Sequence, residues 1–309
     1  MKVLITGGAG YIGSLLIDYL LKKCFTVYVI DSFLYEEVSL LQYTENENFF
    51  CIRGDARDKN LIKDYINKVD IIIPLAALVG APLCDKDIVL SYSINTEAIQ
   101  IIADLKSKDQ IILFPMTNSG YGIGGKEQCT ENSPLNPISI YGKSKVDAEK
   151  IIMECDNFVS FRLATVFGIS NRLRLDLLVN NFVWRALKDG FVVLYEANFR
   201  RNYIHVRDVC RCFCYAIENI DNMKNNVFNL GLSSANLTKK ELCNKIITHI
   251  PNFTFFESEI STDQDKRDYE VSNAKIESFG FRTNYDVDYG IKELKKVYQY
   301  VDNKFYSNY

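Results

Sequence analysis

The stretch that decides the fold is Met1-Lys2-Val3-Leu4-Ile5-Thr6-Gly7-Gly8-Ala9-Gly10-Tyr11-Ile12-Gly13. Its first half is an apolar run that predicts a strand, and residues 14–22 carry leucines at helical spacing. In such a strand–turn–helix, Gly7 allows the tight turn, Gly10 lets a pyrophosphate approach the backbone, and Gly13 lets the helix lie close to the strand. The stretch therefore predicts a dinucleotide site, because the first turn of a helix offers free N–H groups and a positive dipole to phosphates.

An acidic residue supports this prediction. A second strand run, 26–30, ends in Asp31, eighteen residues beyond Gly13, where a ribose-binding carboxylate is expected. A carboxylate there accepts hydrogen bonds from the ribose hydroxyls and repels a 2′-phosphate. Residues 32–35 contain no arginine, so the predicted cofactor is NAD rather than NADP. A glycine turn that binds nothing is the alternative interpretation, and the strand, helix and acid together argue against it.

Composition excludes several classes of protein. The 309 residues are 48% hydrophobic and 24% charged, with a net charge of −3, which argues against an electrostatic nucleic-acid or membrane partner. No apolar run reaches the ~18 residues of a membrane span, and no leader pattern precedes the first strand, so we expect a cytoplasmic protein. The nine cysteines include no Cys-x-x-Cys pair and the chain has two histidines, which predicts reduced thiols and no metal site.

Strand and helix signals alternate along the first half, which predicts an α/β fold with a parallel, doubly wound sheet of the Rossmann type. Seven strands are predicted, at 1–6, 26–30, 48–52, 69–74, 110–116, 158–163 and 226–230. Residues 1–168 and 203–231 would form the NAD-binding domain. Residues 169–202 and 232–309, where the pattern breaks into shorter mixed pieces, would form a smaller substrate lobe.

Further motifs occur in an order that is typical of one family. They are Gly54-Asp55-Ala56, Leu75-Ala76-Ala77, Thr117, Tyr141-x-x-x-Lys145, the run Arg-Asn-Tyr-Ile-His-Val-Arg-Asp-Val at 201–209, and Lys266-Arg267-Asp268-Tyr269. With the glycine turn, they resemble the extended short-chain dehydrogenase/reductases of the nucleotide-sugar epimerase/dehydratase family. The resemblance covers nearly the whole chain. It implies that Asp55 and Ala56 contact the adenine, that residues 75–77 pass under the pyrophosphate and nicotinamide ribose, and that Tyr11 and Ile12 also contact the cofactor.

The catalytic residues implied by the resemblance are Thr117, Tyr141 and Lys145. Oxidation of a secondary alcohol needs a base for the hydroxyl proton, and a phenol has an ordinary pKa of about 10. Tyr141 and Lys145 are i and i+4 and so share a helix face. The ammonium is expected to lower the pKa of the phenol by about 3 units, or roughly 4 kcal/mol. In the family this lysine also bonds the nicotinamide ribose. Thr117 would bond the reacting oxygen.

A nucleotide-activated sugar is the predicted substrate. The residues predicted to bind it are Val79, Asn118, Ser119, Arg174, Asn180, Arg201 and Arg267. Arginines suit its diphosphate because the guanidinium fork matches phosphate oxygens. Relatives that dehydrate a sugar carry Asp-Glu directly after the catalytic Ser or Thr. Here Asn118 and Ser119 occupy those positions, and neither is an efficient acid or base, which disfavours a 4,6-dehydratase.

Several finer interpretations stay open. The chain most resembles the GDP-manno-heptose branch, in which oxidation at C4 gives a 4-keto sugar for surface-polysaccharide synthesis. A UDP-sugar 4-epimerase with tightly bound NAD is the nearest alternative. A dinucleotide-sensing regulator without turnover is disfavoured by the Tyr/Lys pair, and an NADP-dependent carbonyl reductase by Asp31. Relatives usually pair through two helices, so the segments 95–106 and 141–155 predict a homodimer, with a tetramer as the alternative.

Overall fold

The computed structural model describes residues 1–35, 38–125, 127–258, 267–301 and 307–308. The strands are β1 (Lys2–Thr6), β2 (Thr26–Asp31), β3 (Phe49–Arg53), β4 (Ile71–Pro74), β5 (Ile111–Thr117), β6 (Phe158–Leu163), β7 (Thr165–Phe167), β8 (Phe191–Leu194), β9 (Arg200–His205), β10 (Asn226–Leu230), β11 (Asn236–Thr238) and β12 (Thr254–Glu257). The helices are α1 (Tyr11–Lys22), α2 (Lys59–Ile66), α3 (Ala81–Lys86), α4 (Ile88–Tyr92), α5 (Ala98–Leu105), α6 (Ile140–Met153), α7 (Leu178–Lys188), α8 (Val206–Glu218), α9 (Ile220–Met223), α10 (Lys239–His249), α11 (Ala274–Ser278) and α12 (Val287–Val297).

The main sheet has seven parallel strands in the order β3-β2-β1-β4-β5-β6-β10. These are the seven strands that the sequence predicts, and the Rossmann-type architecture is confirmed. The strand order reverses between β1 and β4. In such sheets the carboxyl ends of the strands on either side of the reversal form the ligand crevice.

Helices cover both faces of this sheet. Successive residues of a strand point to opposite faces, so Val3 and Ile5 join the core under α1 and α8, whereas Leu4 joins the core under α2, α5 and α6. This burial on both sides explains why the strands are continuous apolar runs rather than alternating ones.

A second hydrophobic core lies beyond the sheet. Helices α7, α10 and α12 meet there through Phe182, Leu242 and Leu294, among other buried side chains. A small sheet in the order β11-β9-β7 lies beside it, and β8 pairs with β12. None of the helices within the described part of the chain is both long and apolar enough to cross a membrane.

The helix predicted at 95–106 begins differently in the structure. A π-helical turn, Ser93–Glu97, precedes α5. Within this wider turn the buried Asn95 amide accepts a hydrogen bond from Leu78 N at 2.8 Å and donates one to Leu78 O at 3.0 Å. This long-range hydrogen bonding is not visible in local sequence periodicity.

Candidate active site

One cavity of about 590 Å³ lies where the carboxyl ends of the parallel strands meet. It brings together most of the predicted site residues: Gly7, Gly10, Tyr11, Ile12, Gly13, Asp31, Asp55, Ala56, Leu75, Ala76, Ala77, Val79, Thr117, Tyr141, Lys145, Arg174, Arg201 and Arg267. The glycine turn, the Tyr/Lys pair and the arginines are far apart in sequence. The fold brings them together around one cavity.

The glycine turn fits a dinucleotide. Gly7 has a φ of +73°, and a Cβ there would lie 2.5 Å from Ala76 N. A Cβ on Gly13 would lie 2.7 Å from Gly8 Cα. Gly10 precedes α1 with extended backbone, and Gly10, Tyr11, Ile12 and Gly13 line the cavity at the start of that helix. Phosphates can therefore approach the free N–H groups of the helix.

Asp31 is fixed by the same turn. Its Oδ2 accepts a hydrogen bond from Ala9 N and its Oδ1 accepts one from Phe33 N, both at 2.8 Å. Each carboxylate oxygen keeps further acceptor capacity, and Asp31 lines the cavity. This arrangement fits the predicted pair of bonds from the ribose hydroxyls.

Asp55 has a partner that the sequence analysis did not assign. The Arg57 side chain donates from Nε to Asp55 Oδ1 at 2.9 Å, and this bonding holds the pKa of Asp55 below its ordinary value. Both residues line the cavity. Arg57 orients the carboxylate predicted to meet the adenine amine.

Tyr141 and Thr117 both line the cavity. The Thr117 hydroxyl donates a hydrogen bond to Ser119 Oγ at 3.0 Å. Burial raises the pKa of Tyr141 to about 12, and the Cys84 thiol adds to the rise. The groups that lower this pKa are Arg267, Thr117 and Arg174. The sequence predicted a lowered pKa for Tyr141, and burial has the opposite effect. The cavity walls remove water from the phenol, and this disfavours its charged form.

Lys145 is buried and lies 4.1 Å from the centroid of the Phe114 ring. Burial lowers its pKa to about 7, against an opposing effect of Glu149. Burial thus works against the predicted stabilisation of the phenolate by the Lys145 ammonium.

The shifted lysine predicts a pH-dependent stability. Unfolding restores its ordinary pKa of 10.5, so between pH ~7 and ~10 the unfolded chain binds more protons, and stability rises with pH. Relative to Lys145→Met, the protein without added nucleotide should gain up to about 1.4 kcal/mol in free energy of unfolding per pH unit. Urea unfolding at several pH values measures this. Lys143→Met, an exposed lysine on α6, is the control; a pH-independent difference for Lys145→Met would contradict the shift.

Arg174 forms a buried ion pair on the cavity wall. Its Nε donates to Asp176 Oδ1 at 2.7 Å, and Nη2 bonds Oδ2. The two side chains are 7% and 4% exposed. Arg174 is therefore held in one orientation by an acid that sequence reasoning did not select, although Asp176 lies only two residues away.

Three predicted substrate residues do not line the cavity: Asn118, Ser119 and Asn180. Asn180 is fully buried, and its amide bonds the backbone of Gly168 and Arg174 O at 2.9 Å. Its side chain therefore supports the backbone at Gly168 and Arg174 and does not line the cavity. Ser119 is buried beside Thr117.

Other cavity residues were missed by sequence reasoning. Arg172 lies 4.2 Å from the Tyr35 ring centroid and donates from Nη2 to Asn308 Oδ1 at 2.6 Å. All three residues line the cavity. The basic cluster at 171–174 was the available signal for Arg172, but nothing local connects residues 35 and 308 to it.

The chain is similar to known proteins along most of its length. Residues 3–231 match the model of the NAD dependent epimerase/dehydratase family. A putative UDP-glucose 4-epimerase of Methanocaldococcus jannaschii is 26% identical over 94% of this chain and 96% of its own length. The low-salt glycan biosynthesis protein Agl12 of Haloferax volcanii is 25% identical over 96% and 98%. The crystal structure of Thermus thermophilus UDP-glucose 4-epimerase with NAD superposes with a TM-score of 0.82 at 22% identity, covering 98% of this chain and all of the other.

Proposed function

The chain belongs to the NAD-dependent epimerase/dehydratase family of nucleotide-sugar enzymes, and from this premise we propose that it oxidises C4 of a nucleotide-activated sugar. The observation that carries the proposal is the meeting of three groups in one cavity. A glycine turn with an anchored Asp31 lines the cavity, and so do arginines such as Arg201. Tyr141 and Thr117 line the same cavity.

Each of these groups has a chemical task. NAD, when bound, supplies the hydride acceptor. Tyr141 takes the proton of the reacting hydroxyl as the carbon becomes planar, and Thr117 donates a hydrogen bond to the reacting oxygen. Lys145, one helical turn beyond Tyr141, would bond the ribose. Val79, Arg201 and Arg267 would hold the sugar nucleotide, with the guanidinium groups at the diphosphate.

The residues after Thr117 argue against dehydration. Asn118 and Ser119 are both buried, and neither offers a carboxyl group. The nearby Glu149 is bound in a buried pair, accepting from Arg162 Nη2 at 2.9 Å and from Ser160 Oγ at 2.6 Å. It is therefore not available as an acid for a departing hydroxyl. Oxidation alone, or oxidation followed by return of the hydride, remains.

For the substrate, we propose a GDP-sugar of the manno-heptose kind, oxidised to its 4-keto form. The support is the resemblance of the segments 75–84, 171–174 and 266–269 to that branch; of these, residue 266 lies outside the described residues. A UDP-sugar 4-epimerase is the second candidate, and it is favoured by relatives named as UDP-glucose 4-epimerases. The two reactions share their first step.

Product analysis tests both candidates. The purified protein is incubated with NAD and, separately, with GDP-manno-heptose, GDP-mannose, UDP-glucose and UDP-galactose. A C4 dehydrogenase produces a 4-keto sugar, seen by NMR, with a matching increase in NADH absorbance. An epimerase interconverts the UDP-sugars without net NADH. Loss of a hydroxyl at C6 in any product would contradict the proposal, and so would absence of turnover with all four.

We also propose a cytoplasmic homodimer that pairs through α5 and α6. The predicted lobes, 1–168 with 203–231 and 169–202 with 232–309, would carry the cofactor and the sugar nucleotide respectively. Light scattering of the purified protein tests the assembly, since a monomer would exclude the proposed pairing.

Removal of Asp176 should expose the role of the buried ion pair. Asp176→Ala removes the buried acid that pairs with Arg174, so we expect a loss of about 2–3 kcal/mol in free energy of unfolding. Added GDP or UDP should stabilise this variant more than the unaltered protein, because the diphosphate supplies the missing anion. Urea unfolding with and without nucleotide measures both effects.

The matched control is Asp189→Ala, which breaks an exposed i,i+4 pair with Arg185. The expected loss there is about 0–1 kcal/mol, with no extra stabilisation by nucleotide. Equal behaviour of the two variants would show that Arg174 does not bind the diphosphate.

A further inference from the structure

A segment of the predicted sugar-nucleotide lobe is hydrogen-bonded to the start of α1. Asn171 Nδ2 donates to Ser14 O at 2.7 Å, and Arg172 N donates to Ser14 Oγ at 3.3 Å. Ser14 belongs to the first turn of α1, and the phosphates of a dinucleotide approach the free N–H groups of such a turn. Arg172 lines the cavity together with Gly10 and Gly13. An arginine of the predicted substrate lobe is therefore beside the cofactor turn.

Tyr35 comes to Arg172 from the sequence that follows β2. Asp31 and Ser39, on either side of it in sequence, both bond the backbone of Ala9 in the glycine turn. Ala9 N donates to Asp31 Oδ2 at 2.8 Å, and Ser39 Oγ donates to Ala9 O at 2.7 Å. The guanidinium carbon of Arg172 lies 4.2 Å from the centroid of the Tyr35 ring, which is a cation–π contact. Two segments bound to the cofactor turn thus bring a guanidinium and a phenol together at the cavity.

The Tyr35 hydroxyl is an independent indication of a ligand at this place. Its oxygen is buried and has no hydrogen-bond partner among the residues that the structure describes. A buried hydroxyl without a partner costs free energy, so this position is unfavourable unless a bound group completes the bonding. A phenol can donate its proton, and the neighbouring guanidinium attracts negative charge. The acceptor that suits both groups is an anionic oxygen such as that of a phosphate.

We propose that Arg172 and Tyr35 bind the pyrophosphate of NAD, so that a residue of the predicted sugar-nucleotide lobe completes the cofactor site. Arg172 supplies positive charge, and the Tyr35 hydroxyl donates one hydrogen bond to a phosphate oxygen. A sugar nucleotide also carries a pyrophosphate, but the bonding of residues 171 and 172 to Ser14 on α1 favours that of the cofactor. The proposal depends on NAD as the cofactor and not on oxidation at C4.

Calorimetric titrations of the purified protein with NAD, UDP and GDP test the proposal without any turnover of sugar. Tyr35→Phe keeps the ring beside Arg172 and removes only the hydroxyl. Its Kd for NAD should rise about tenfold, the loss of one hydrogen bond to a charged group, while its affinity for UDP and GDP stays unchanged. Arg172→Gln should raise the Kd for NAD at least as much, because it removes the positive charge.

Tyr298→Phe is the matched control for the phenol. The Tyr298 hydroxyl is also buried without a partner in the described ranges, and the residue does not line the cavity. Arg185→Gln is the control for loss of charge, since Arg185 does not line the cavity either. Both control variants should bind NAD as the unaltered protein does. Urea unfolding without ligand is a second readout, in which Tyr35→Phe should unfold at the same urea concentration as the unaltered protein or at a higher one.

Three results would overturn the proposal. One is a Kd for NAD in Tyr35→Phe equal to that in Tyr298→Phe. Another is a loss of affinity for UDP or GDP as large as that for NAD, which would assign the two residues to the sugar nucleotide. The third is easier unfolding of ligand-free Tyr35→Phe, which would give its hydroxyl a structural role. A raised Kd for NAD, with UDP and GDP unaffected, supports the proposal even if no sugar nucleotide is oxidised, a result that counts against the proposed function alone.

Discussion

The Tyr141→Phe variant should lose about 10²–10⁴-fold in kcat with the sugar nucleotide that the enzyme oxidises. The substitution removes the only atom of this side chain that can accept a proton, while the ring keeps its place on the cavity wall. NAD binding should persist, because the glycine turn and Asp31 are unaffected. The measurement is steady-state turnover together with NAD titration, so that loss of chemistry is separated from loss of cofactor.

Tyr203→Phe is the matched control for this experiment. The Tyr203 hydroxyl is also buried, but it has no hydrogen-bond partner within the described part of the chain, and the residue does not line the cavity. Its removal should leave kcat within about twofold and stability unchanged or slightly higher, because an unsatisfied buried hydroxyl costs free energy. Turnover in Tyr141→Phe equal to that of this control would exclude Tyr141 as the base.

The Gly7→Ala variant should lose dinucleotide binding and a large part of its stability. An alanine at this positive φ is strained, and its Cβ would lie within 2.8 Å of three backbone atoms of Leu75 and Ala76. Strain and overlap together should cost about 2–5 kcal/mol in free energy of unfolding. The protein can avoid part of this cost only if the glycine turn moves away from residues 75–77. Both segments line the cofactor site, so this movement would disturb the site. Urea unfolding and NAD titration measure the two effects.

Gly125→Ala provides the comparison, because a Cβ at that glycine meets no atom of the described residues within 4 Å. We expect an effect on stability within about 0.5 kcal/mol and unchanged NAD affinity. If Gly7→Ala bound NAD as tightly as Gly125→Ala, the close approach of turn and loop would not be a requirement of the site.

Local sequence predicted the strands and the cofactor turn because their causes are local. Each buried parallel strand is a short apolar run, as in β1, and the glycine turn shows its geometry in the spacing of Gly7, Gly10 and Gly13. The family assignment rests on similar short motifs, and the match over 3–231 confirms it. Element ends were less accurate, as at β4, where the strand predicted at 69–74 begins at Ile71.

The charge states of the site could not be predicted in this way. The Tyr-x-x-x-Lys spacing places Tyr141 and Lys145 on one helix face, but a pKa depends on every wall of the cavity. Burial raises the pKa of the phenol and lowers that of the lysine. Arg267, more than a hundred residues away in sequence, is among the groups that favour the phenolate.

By itself, the sequence determined the parallel α/β fold, the place of the glycine turn, the family and the position of Tyr141 and Lys145 on one helix. Their signals are periodicity and short motifs, which depend on neighbours along the chain. Only the tertiary structure decided that Asp176 holds Arg174, that Asn180 supports backbone, and that Ser119 connects Arg267 to Thr117. Hydrogen bonds and desolvation act over a few ångströms in space, and those distances are set by packing between segments that are remote in sequence.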